Sequence, residues 1–98
     1  MKPQLRYRIR LSKGYRKDVK RLSKMQVDLS RLENVIDQLT HGERLQDAYR
    51  DHALKGALQG TRECHIGPDW LLRYAKDDEY LFLLLMSTGD HRHVLGIE

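Results

Sequence analysis

The stretch TRECHIGPDWLLRYAKDDEYLFLLLMS, residues 61–87, decides the fold because it contains three strand signals in a row. Short turn sequences separate them, and turns of this length join neighbouring antiparallel strands. The run YLFLLLM is apolar on both faces, which predicts a central strand covered by helices on one side and by side chains or a ligand on the other. The predicted strands are Thr61–Ile66, Trp70–Lys76 and Tyr80–Ser87, joined at Gly67-Pro68-Asp69 and Asp77-Asp78-Glu79.

The N-terminal segment alternates between arginine and apolar residues from Leu5 to Leu11. Successive side chains of a strand point to opposite faces, so the pattern predicts a half-buried strand. Its apolar face consists of Leu5, Tyr7, Ile9 and Leu11.

Two amphipathic helices follow this strand. Ser12 is a suitable N-cap for the first and Asp28 for the second, and Gly42 is expected to end the second. Apolar residues recur at helical spacing, while six Lys/Arg cover the rest of the first helix. The apolar stripes are Tyr15, Val19 and Leu22, then Leu29, Leu32, Ile36 and Leu39. Consecutive amphipathic helices predict a hairpin laid on a sheet.

The remaining segments carry no periodic signal. Glu43–Leu58 is predicted to be a long ordered loop, and residues 91–98 a C-terminal tail after the turn Thr88-Gly89-Asp90. The predicted fold is therefore α+β, with element order β-α-α-β-β-β and both helices on one face of an antiparallel sheet. A chain of 98 residues fits one domain over residues 1–98 with one modest core.

Composition limits the location of the protein. The longest apolar run, Tyr80–Met86, has seven residues, whereas a membrane-spanning helix needs about 20. The start MKPQLRYRIRL lacks the continuous apolar segment of a signal peptide, and a single cysteine, Cys64, excludes an internal disulfide. We therefore expect a cytoplasmic protein with no membrane partner.

Basic charge is concentrated at the N-terminal end. Residues 1–24 carry ten Lys/Arg and one acid, Asp18, for a formal charge of +9, whereas residues 25–98 carry eight Lys/Arg and thirteen acids, for −5. A cationic block on a folded element suggests a nucleic acid or an acidic protein as partner. A solvated helix face explains a charge run equally well.

Titratable side chains concentrate in the second half of the chain, where three chemistries compete. A metal site is disfavoured because neighbours on a strand, such as Cys64 and His65, point to opposite faces, and His91-x-His93 is only one weak ligand pair. A cysteine nucleophile is disfavoured because Cys64 shares its face with Ile66, as a small buried hydrophobe would.

Metal-free RNA cleavage is the third chemistry. It needs a base for the 2′-OH proton, an acid for the leaving 5′-oxygen and cations for the phosphorane, and histidines serve as acid or base near pH 7. Alternation places Glu63 and His65 on one face, with Asp69 just beyond the strand. Phosphate contacts are expected from Arg62 and Arg73, and base stacking from Trp70, Tyr74 or Tyr80. Ordinary surface, core and turn residues remain the alternative explanation for each.

The segment DHALKGALQGTRECHIGPDWLLRY, Asp51–Tyr74, followed by TGDHRHVLG, closely resembles the YafQ branch of the RelE/ParE toxin superfamily. That branch has the pattern DH-L-G-----R--H--PDW-L-Y and later TG-H, and the order of elements fits the remainder. The resemblance implies a RelE-like fold and a type II toxin that cuts mRNA in the ribosomal A site without a metal or other cofactor. It implies the cognate antitoxin, the 70S ribosome and mRNA as partners.

The resemblance also implies a set of site residues. The catalytic set is His52, His65, Asp69 and His91. We expect His91 to be the general acid, Asp69 with His65 to be the base and its partner, and His52 to orient the backbone or stabilise charge. Substrate contacts are expected from Lys55, Arg62, Trp70, Arg73 and Arg92.

Two positions depart from the pattern of the branch. Relatives often carry an arginine four residues before the last histidine, where this chain has Ser87, and an aromatic residue where it has Leu95. Phosphorane stabilisation is then expected from Arg62, Arg73 or Arg92. The alternative functions are a non-catalytic, ParE-like inhibitor of DNA gyrase on the same fold and a nucleic-acid-binding module with incidental histidines.

Overall fold

A five-stranded mixed sheet carries two helices on one face in the computed structural model, which describes residues 5–96. The elements are β1 Arg8–Leu11, α1 Lys13–Lys24, α2 Ser30–Thr40, β2 His52–Ala53, β3 Arg62–Gly67, β4 Trp70–Asp77, β5 Phe82–Gly89 and α3 His91–Leu95. The strands lie side by side in the order β1-β5-β4-β3-β2. Residues 1–4 and 97–98, which include the end of the predicted tail, lie outside the described residues. The single domain over residues 1–98 therefore stays a prediction.

The predicted meander is confirmed. Strands β3, β4 and β5 are antiparallel neighbours, and β5 lies in the interior of the sheet between β4 and β1. The third strand begins two residues later than predicted, because Tyr80 lies in the preceding turn and Leu81 has a left-handed φ of 58°. Strand β1 pairs in parallel with β5, which makes the sheet mixed where an antiparallel one was expected.

The hydrophobic core lies between the helices and one face of the sheet. Helix α1 packs on β5 and α2 contacts β3, so the two helices share that face as predicted. Leu83 and Leu85 of β5 are buried on this side, while Phe82 and Leu84 on the other side are only partly covered. The core cluster is Tyr7, Tyr15, Leu32, Val35, Leu39, Leu45, Cys64, Ile66, Leu72, Tyr74, Leu83 and Leu85.

The ends of the helices follow their capping residues. Ser12 accepts the backbone N–H of Tyr15 at 3.0 Å, as an N-cap should. Helix α2 begins at Ser30, and Leu29 rather than Asp28 occupies the cap position. Asp28 lies one residue before the cap, and its carboxylate accepts the first-turn N–H of Ser30 at 2.9 Å. Gly42 follows α2 with φ 75°, a conformation that favours glycine.

The prediction of a half-buried first strand is wrong. Strand β1 spans only Arg8–Leu11, and all four residues are exposed. Ile9 is 47% exposed, and of the predicted apolar face only Tyr7, just before the strand, is buried. The reason is position: β1 is an edge strand next to β5, beyond the area that the two helices cover.

The predicted loop Glu43–Leu58 contains a fifth strand. Two residues, His52 and Ala53, pair antiparallel with Glu63 and Arg62 of β3. Short 3-10 turns at Asp47–Tyr49 and Gly56–Leu58 flank this strand. A two-residue strand is too short to produce a periodic pattern, which explains why the sequence showed none.

The predicted tail contains a short helix. Asp90 accepts the backbone N–H of His93 at 2.7 Å and so caps α3, which ends at Gly96 with φ 69°. Val94 is buried and anchors the helix on the sheet. Among residues 5–96, no helix has the length and apolar content that crossing a membrane requires.

Candidate active site

Strand β3 presents its polar residues on the face of the sheet opposite the helices. Cys64 and Ile66 point into the core and are almost fully buried, while Glu63 and His65 point the other way. Burial raises the pKa of Cys64 to about 12, so its thiol stays protonated and unreactive. The structure confirms that Cys64 is a core residue.

Glu63 joins two of the predicted site histidines. Strand pairing sets His52 directly opposite Glu63, and the Nε2 atoms of both His52 and His65 lie 3.6 Å from Glu63 Oε1. The side chain of Glu63 is only 6% exposed. The other ring nitrogen of His52, Nδ1, lies 2.6 Å from the carbonyl oxygen of Arg50. A carbonyl oxygen can only accept, so Nδ1 is the donor of this hydrogen bond. His52 is thereby oriented with Nε2 toward the carboxylate.

Asp69, in the β3–β4 turn, is paired with His91, the first residue of α3. The Asp69 carboxylate accepts hydrogen bonds from His91 Nδ1 at 2.6 Å and from the His91 backbone N–H at 3.1 Å. These bonds, with the one from the ring contributing most, hold the pKa of Asp69 below its usual range. We expected Asp69 to act with His65, but its carboxylate bonds the other histidine.

His65 and His91 complete the cluster. Their ring centroids are 5.5 Å apart in an edge-to-face arrangement. Burial lowers the pKa of His65 and outweighs the opposing effect of Glu63, while His91 and Arg50 lower it further. The His65 ring is therefore mostly neutral at pH 7. All four predicted catalytic residues thus converge in one chain of contacts, from His52 through Glu63, His65 and His91 to Asp69.

A row of polar residues continues from His52 across the sheet. Direct pairing sets Glu63 against Arg73 and Arg73 against Ser87, so all four side chains share the face away from the helices. Within residues 5–96, three buried atoms of this row have no hydrogen-bond partner: Glu63 Oε2, Arg73 Nε and Ser87 Oγ. Buried polar groups are usually bonded, so the unmatched groups of this row indicate a site for a polar ligand.

A cleft of about 510 Å³ opens beside the histidine pair. His65, His91 and the Gly67-Pro68 turn line it. Its lining also includes cationic and aromatic residues outside the predicted set: Arg31, Tyr49 and Arg50. Its volume falls in the range of small-molecule sites, roughly 300–1,000 Å³, and its lining suits a nucleotide carrying a phosphate.

The residues predicted to contact substrate lie in different settings. Arg62 donates from Nε to Asp51 at 3.3 Å, so its guanidinium is already engaged. The Trp70 indole packs against the core and donates to Thr88 Oγ1 at 3.0 Å. Arg73 lies in the polar row, and Lys55 and Arg92 are exposed on a loop and on α3. Substrate contact by any of them stays a prediction.

Stacking of a base on Tyr74 is excluded, which corrects the sequence-based expectation. Tyr74 is fully buried, and its hydroxyl donates to Asp51. Tyr80, also considered for stacking, is 68% exposed in the β4–β5 turn at the far end of these strands from Asp69. For both tyrosines, the stacking role was predicted from residue type alone, and residue type does not reveal burial.

The weak metal-ligand pair His91-x-His93 does not converge. His91 bonds Asp69, whereas His93 Nε2 lies 2.5 Å from Asp18 on α1. In the part of the chain that the structure describes, no group of three or more His, Cys, Asp or Glu is arranged to hold a metal ion.

Glu63 belongs to the histidine cluster, although the sequence-based set omitted it. It contacts both His52 and His65, and alternation along β3 already placed it on the His65 face. Arg31, Tyr49 and Arg50 had no sequence signal, because they reach the cleft from α2 and from an irregular segment.

Comparison with known proteins gives a consistent result. A family model described as the bacterial toxin of type II toxin-antitoxin system, YafQ, matches residues 7–96. The mRNA interferase toxin YafQ of Escherichia coli strain K12 is 35% identical over 89 residues, 90% of this chain and 95% of that protein. A chain of the E. coli DinJ-YafQ toxin-antitoxin complex superposes with a TM-score of 0.84 at 33% identity, covering 94% of this chain and 100% of that one.

A metal-bound toxin from Helicobacter pylori is similar as well. It superposes with a TM-score of 0.83 at 39% identity, and the match covers 90% of this chain and 98% of that one. The family match extends over nearly the whole described chain, and the identities exceed what a shared fold alone produces. The chain therefore belongs to the YafQ family of bacterial toxins of type II toxin-antitoxin systems.

Proposed function

We propose that this protein is an mRNA endoribonuclease, the toxin of a type II pair, which cleaves mRNA in the ribosomal A site by metal-free general acid/base catalysis. The observation that carries the proposal is the pair of histidine rings 5.5 Å apart beside an open cleft, each with its own carboxylate. RNA cleavage through the 2′-OH requires one group that accepts a proton and one that donates it. The relatives named mRNA interferase toxins support this substrate.

His65 serves as the general base. Its lowered pKa leaves the ring neutral at pH 7, and Nε2 is turned toward Glu63, so Nδ1 is the nitrogen that carries the lone pair. Nδ1 takes the 2′-OH proton, the 2′-oxygen bonds to the adjacent phosphorus, and a pentavalent phosphorane forms. Glu63 stabilises the imidazolium that results.

His91 serves as the general acid. Asp69 accepts the hydrogen bond from His91 Nδ1 and so fixes the orientation of the ring, which leaves Nε2 to carry the transferred proton. That proton goes to the 5′-oxygen as its bond to phosphorus breaks. The products are a 2′,3′-cyclic phosphate and a 5′-hydroxyl end.

Cationic side chains hold the phosphate groups. Arg73 contacts the phosphorane in this proposal, because it shares the sheet face of Glu63 and its Nε is buried without a partner within residues 5–96. Lys55 and Arg92 are exposed and suit contacts with flanking phosphates. Arg62 and Trp70 act indirectly, by holding Asp51 and Thr88.

The basic N-terminal surface is proposed to bind ribosomal RNA and, in the inactive complex, an acidic segment of the cognate antitoxin. The structure supports an accessible surface, since the basic residues of β1 and most of those of α1 are exposed. The DinJ-YafQ complex shows that a close relative binds an antitoxin. A ribosome-bound substrate also implies the cytoplasmic location that the sequence predicted.

The test uses purified protein and programmed ribosomes, with mapping of mRNA ends in the presence and absence of a chelator. Discrete A-site cuts that persist with chelator are expected, and His91→Ala should lower the rate by about 10²–10⁴-fold. The matched control is His41→Ala, because His41 ends α2 and bonds only Asp37 among the described residues. Wild-type activity of His91→Ala would remove His91 from the mechanism, and inhibition of gyrase without RNA cuts would replace the proposed function.

A further inference from the structure

Asp18 is a buried carboxylate on α1 that the proposed mechanism does not use. The residue is only 3% exposed, yet it carries three hydrogen bonds. Its Oδ2 accepts the backbone N–H of Thr88 at 3.0 Å, and its Oδ1 accepts from Arg21 Nη1 at 3.1 Å and from His93 Nε2 at 2.5 Å. A buried carboxylate persists only where such donors offset its lost hydration. Asp18 therefore ties the end of β5 and the start of α3 to helix α1.

Thr88 is the residue on which these contacts meet. Besides its N–H, its carbonyl oxygen accepts from Arg21 Nη2 at 3.4 Å. Its hydroxyl donates to the carbonyl oxygen of Leu71 at 2.8 Å and accepts from the Trp70 indole. Trp70 directly follows Asp69 in the chain, and Thr88 lies three residues before His91. The network thus joins the two segments that carry the Asp69–His91 pair.

Helix α3 depends on outside contacts for its position. It has five residues, and an isolated helix of that length is not stable in water. The buried Val94 side chain holds one side of it, and the bond from His93 to Asp18 holds the turn that begins with His91. Because the His91 ring reaches Asp69 only while this turn stays in place, a shift of α3 would separate the pair.

We propose that Asp18 and His93 are positioning residues, which hold α3 so that His91 meets Asp69 in the orientation required of a proton donor. The inference rests on the proposed function, because it gives His91 that role. Neither residue touches the substrate. A displacement of about 1 Å of a catalytic group lowers rates by up to about 10²-fold, so the effect should be large enough to measure.

The test compares His93→Ala with His93→Gln in steady-state cleavage of ribosome-bound mRNA. His93→Ala should lower kcat by about 10–100-fold and leave KM for programmed ribosomes unchanged. His93→Gln should restore most of the rate, because its side-chain amide can donate to Asp18. The control is His41→Ala, which removes a second Asp–His pair, with Asp37, and should leave kcat unchanged.

Nuclear magnetic resonance of the free protein gives a readout that does not depend on cleavage. In His93→Ala, the His91 backbone amide and ring resonances should lose the shifts that the Asp69 bonds produce, and in His93→Gln they should recover. Unchanged His91 resonances in His93→Ala, or a His93→Gln variant as slow as His93→Ala, would overturn the positioning role. If the wild type cuts no mRNA, the proposed function fails, while the resonances still decide whether Asp18 and His93 position His91.

Discussion

Tyr74 and Asp51 form a buried hydrogen bond whose removal should measurably destabilise the protein. The ring of Tyr74 is fully buried, and its hydroxyl lies 2.5 Å from Asp51 Oδ1, which also accepts from Arg62 Nε at 3.3 Å. Burial first, and then the bond to Asp51, raises the pKa of Tyr74 well above its ordinary value, so the hydroxyl stays a donor at any working pH. Asp51 precedes His52, so the bond also anchors the segment that brings His52 to Glu63.

Replacing Tyr74 with phenylalanine removes the donor and keeps the ring. A hydrogen bond to a charged group contributes about 1.5–3 kcal/mol, and Asp51 keeps Arg62 and some access to water, with a side chain 19% exposed. We therefore expect the free energy of unfolding to fall by about 2 kcal/mol. For a domain of this size, that corresponds to a decrease in Tm of roughly 8–15 °C.

The measurement is urea unfolding of Tyr74→Phe, Asp51→Ala and the double variant. The two single losses should not add, because both changes remove the same bond. Tyr80→Phe is the matched control: Tyr80 is 68% exposed, and the same change there should alter stability by less than about 0.5 kcal/mol. Equal losses for Tyr74→Phe and Tyr80→Phe, or fully additive losses in the cycle, would refute the reasoning.

Three further predictions concern titrating groups. Because burial raises the pKa of Cys64 to about 12, a thiol reagent should label Cys64 only in denaturant. Labelling of the native protein would contradict this expectation. Cys64→Ala should cleave mRNA at the wild-type rate. The His65 ring should titrate below the usual histidine pKa. Glu63→Gln should lower the pKa of His65 further, because the carboxylate favours the charged ring. A higher His65 pKa in Glu63→Gln, measured by NMR titration, would count against the assignment. The pKa of Asp69 is depressed by His91, so its contribution to stability is present above its unfolded pKa and is lost as pH falls through the folded pKa. In His91→Ala, this loss of stability at acid pH should disappear when urea unfolding is measured across the acid range. An unchanged dependence of the unfolding free energy on pH would show that the Asp69–His91 pair does not stabilise the protein.

Patterns within one element predicted the fold well. The alternation in β3 separated Cys64 from His65 correctly, since the direction of a side chain on a strand depends only on its neighbours. The cap at Ser12 was likewise readable, because the bond to the Tyr15 N–H spans three residues. These interactions are short-ranged, so the residues that decide them lie next to each other in the sequence.

Predictions that required knowledge of the surroundings were less successful. Leu5–Leu11 has the pattern of a half-buried strand, yet β1 lies at the sheet edge, where the helices leave it exposed. Residues 91–95 form a helix that only its contacts with the sheet and α1 stabilise. In both segments the outcome depends on which other element covers them, and the local pattern carries no information about that.

By itself, the sequence determined the two long helices, the meander and the residue types suited to acid/base chemistry, and the motif that it shares with its relatives singled out His52, His65, Asp69 and His91. Only the tertiary structure decided which carboxylate His52 and His91 meet: Glu63 for His52, and Asp69 for His91. These four residues come from a two-residue strand, strand β3, one turn and a short helix, whose meeting depends on sheet register and on helix α1. Register and packing are set by the whole core, and for that reason no local pattern could show them.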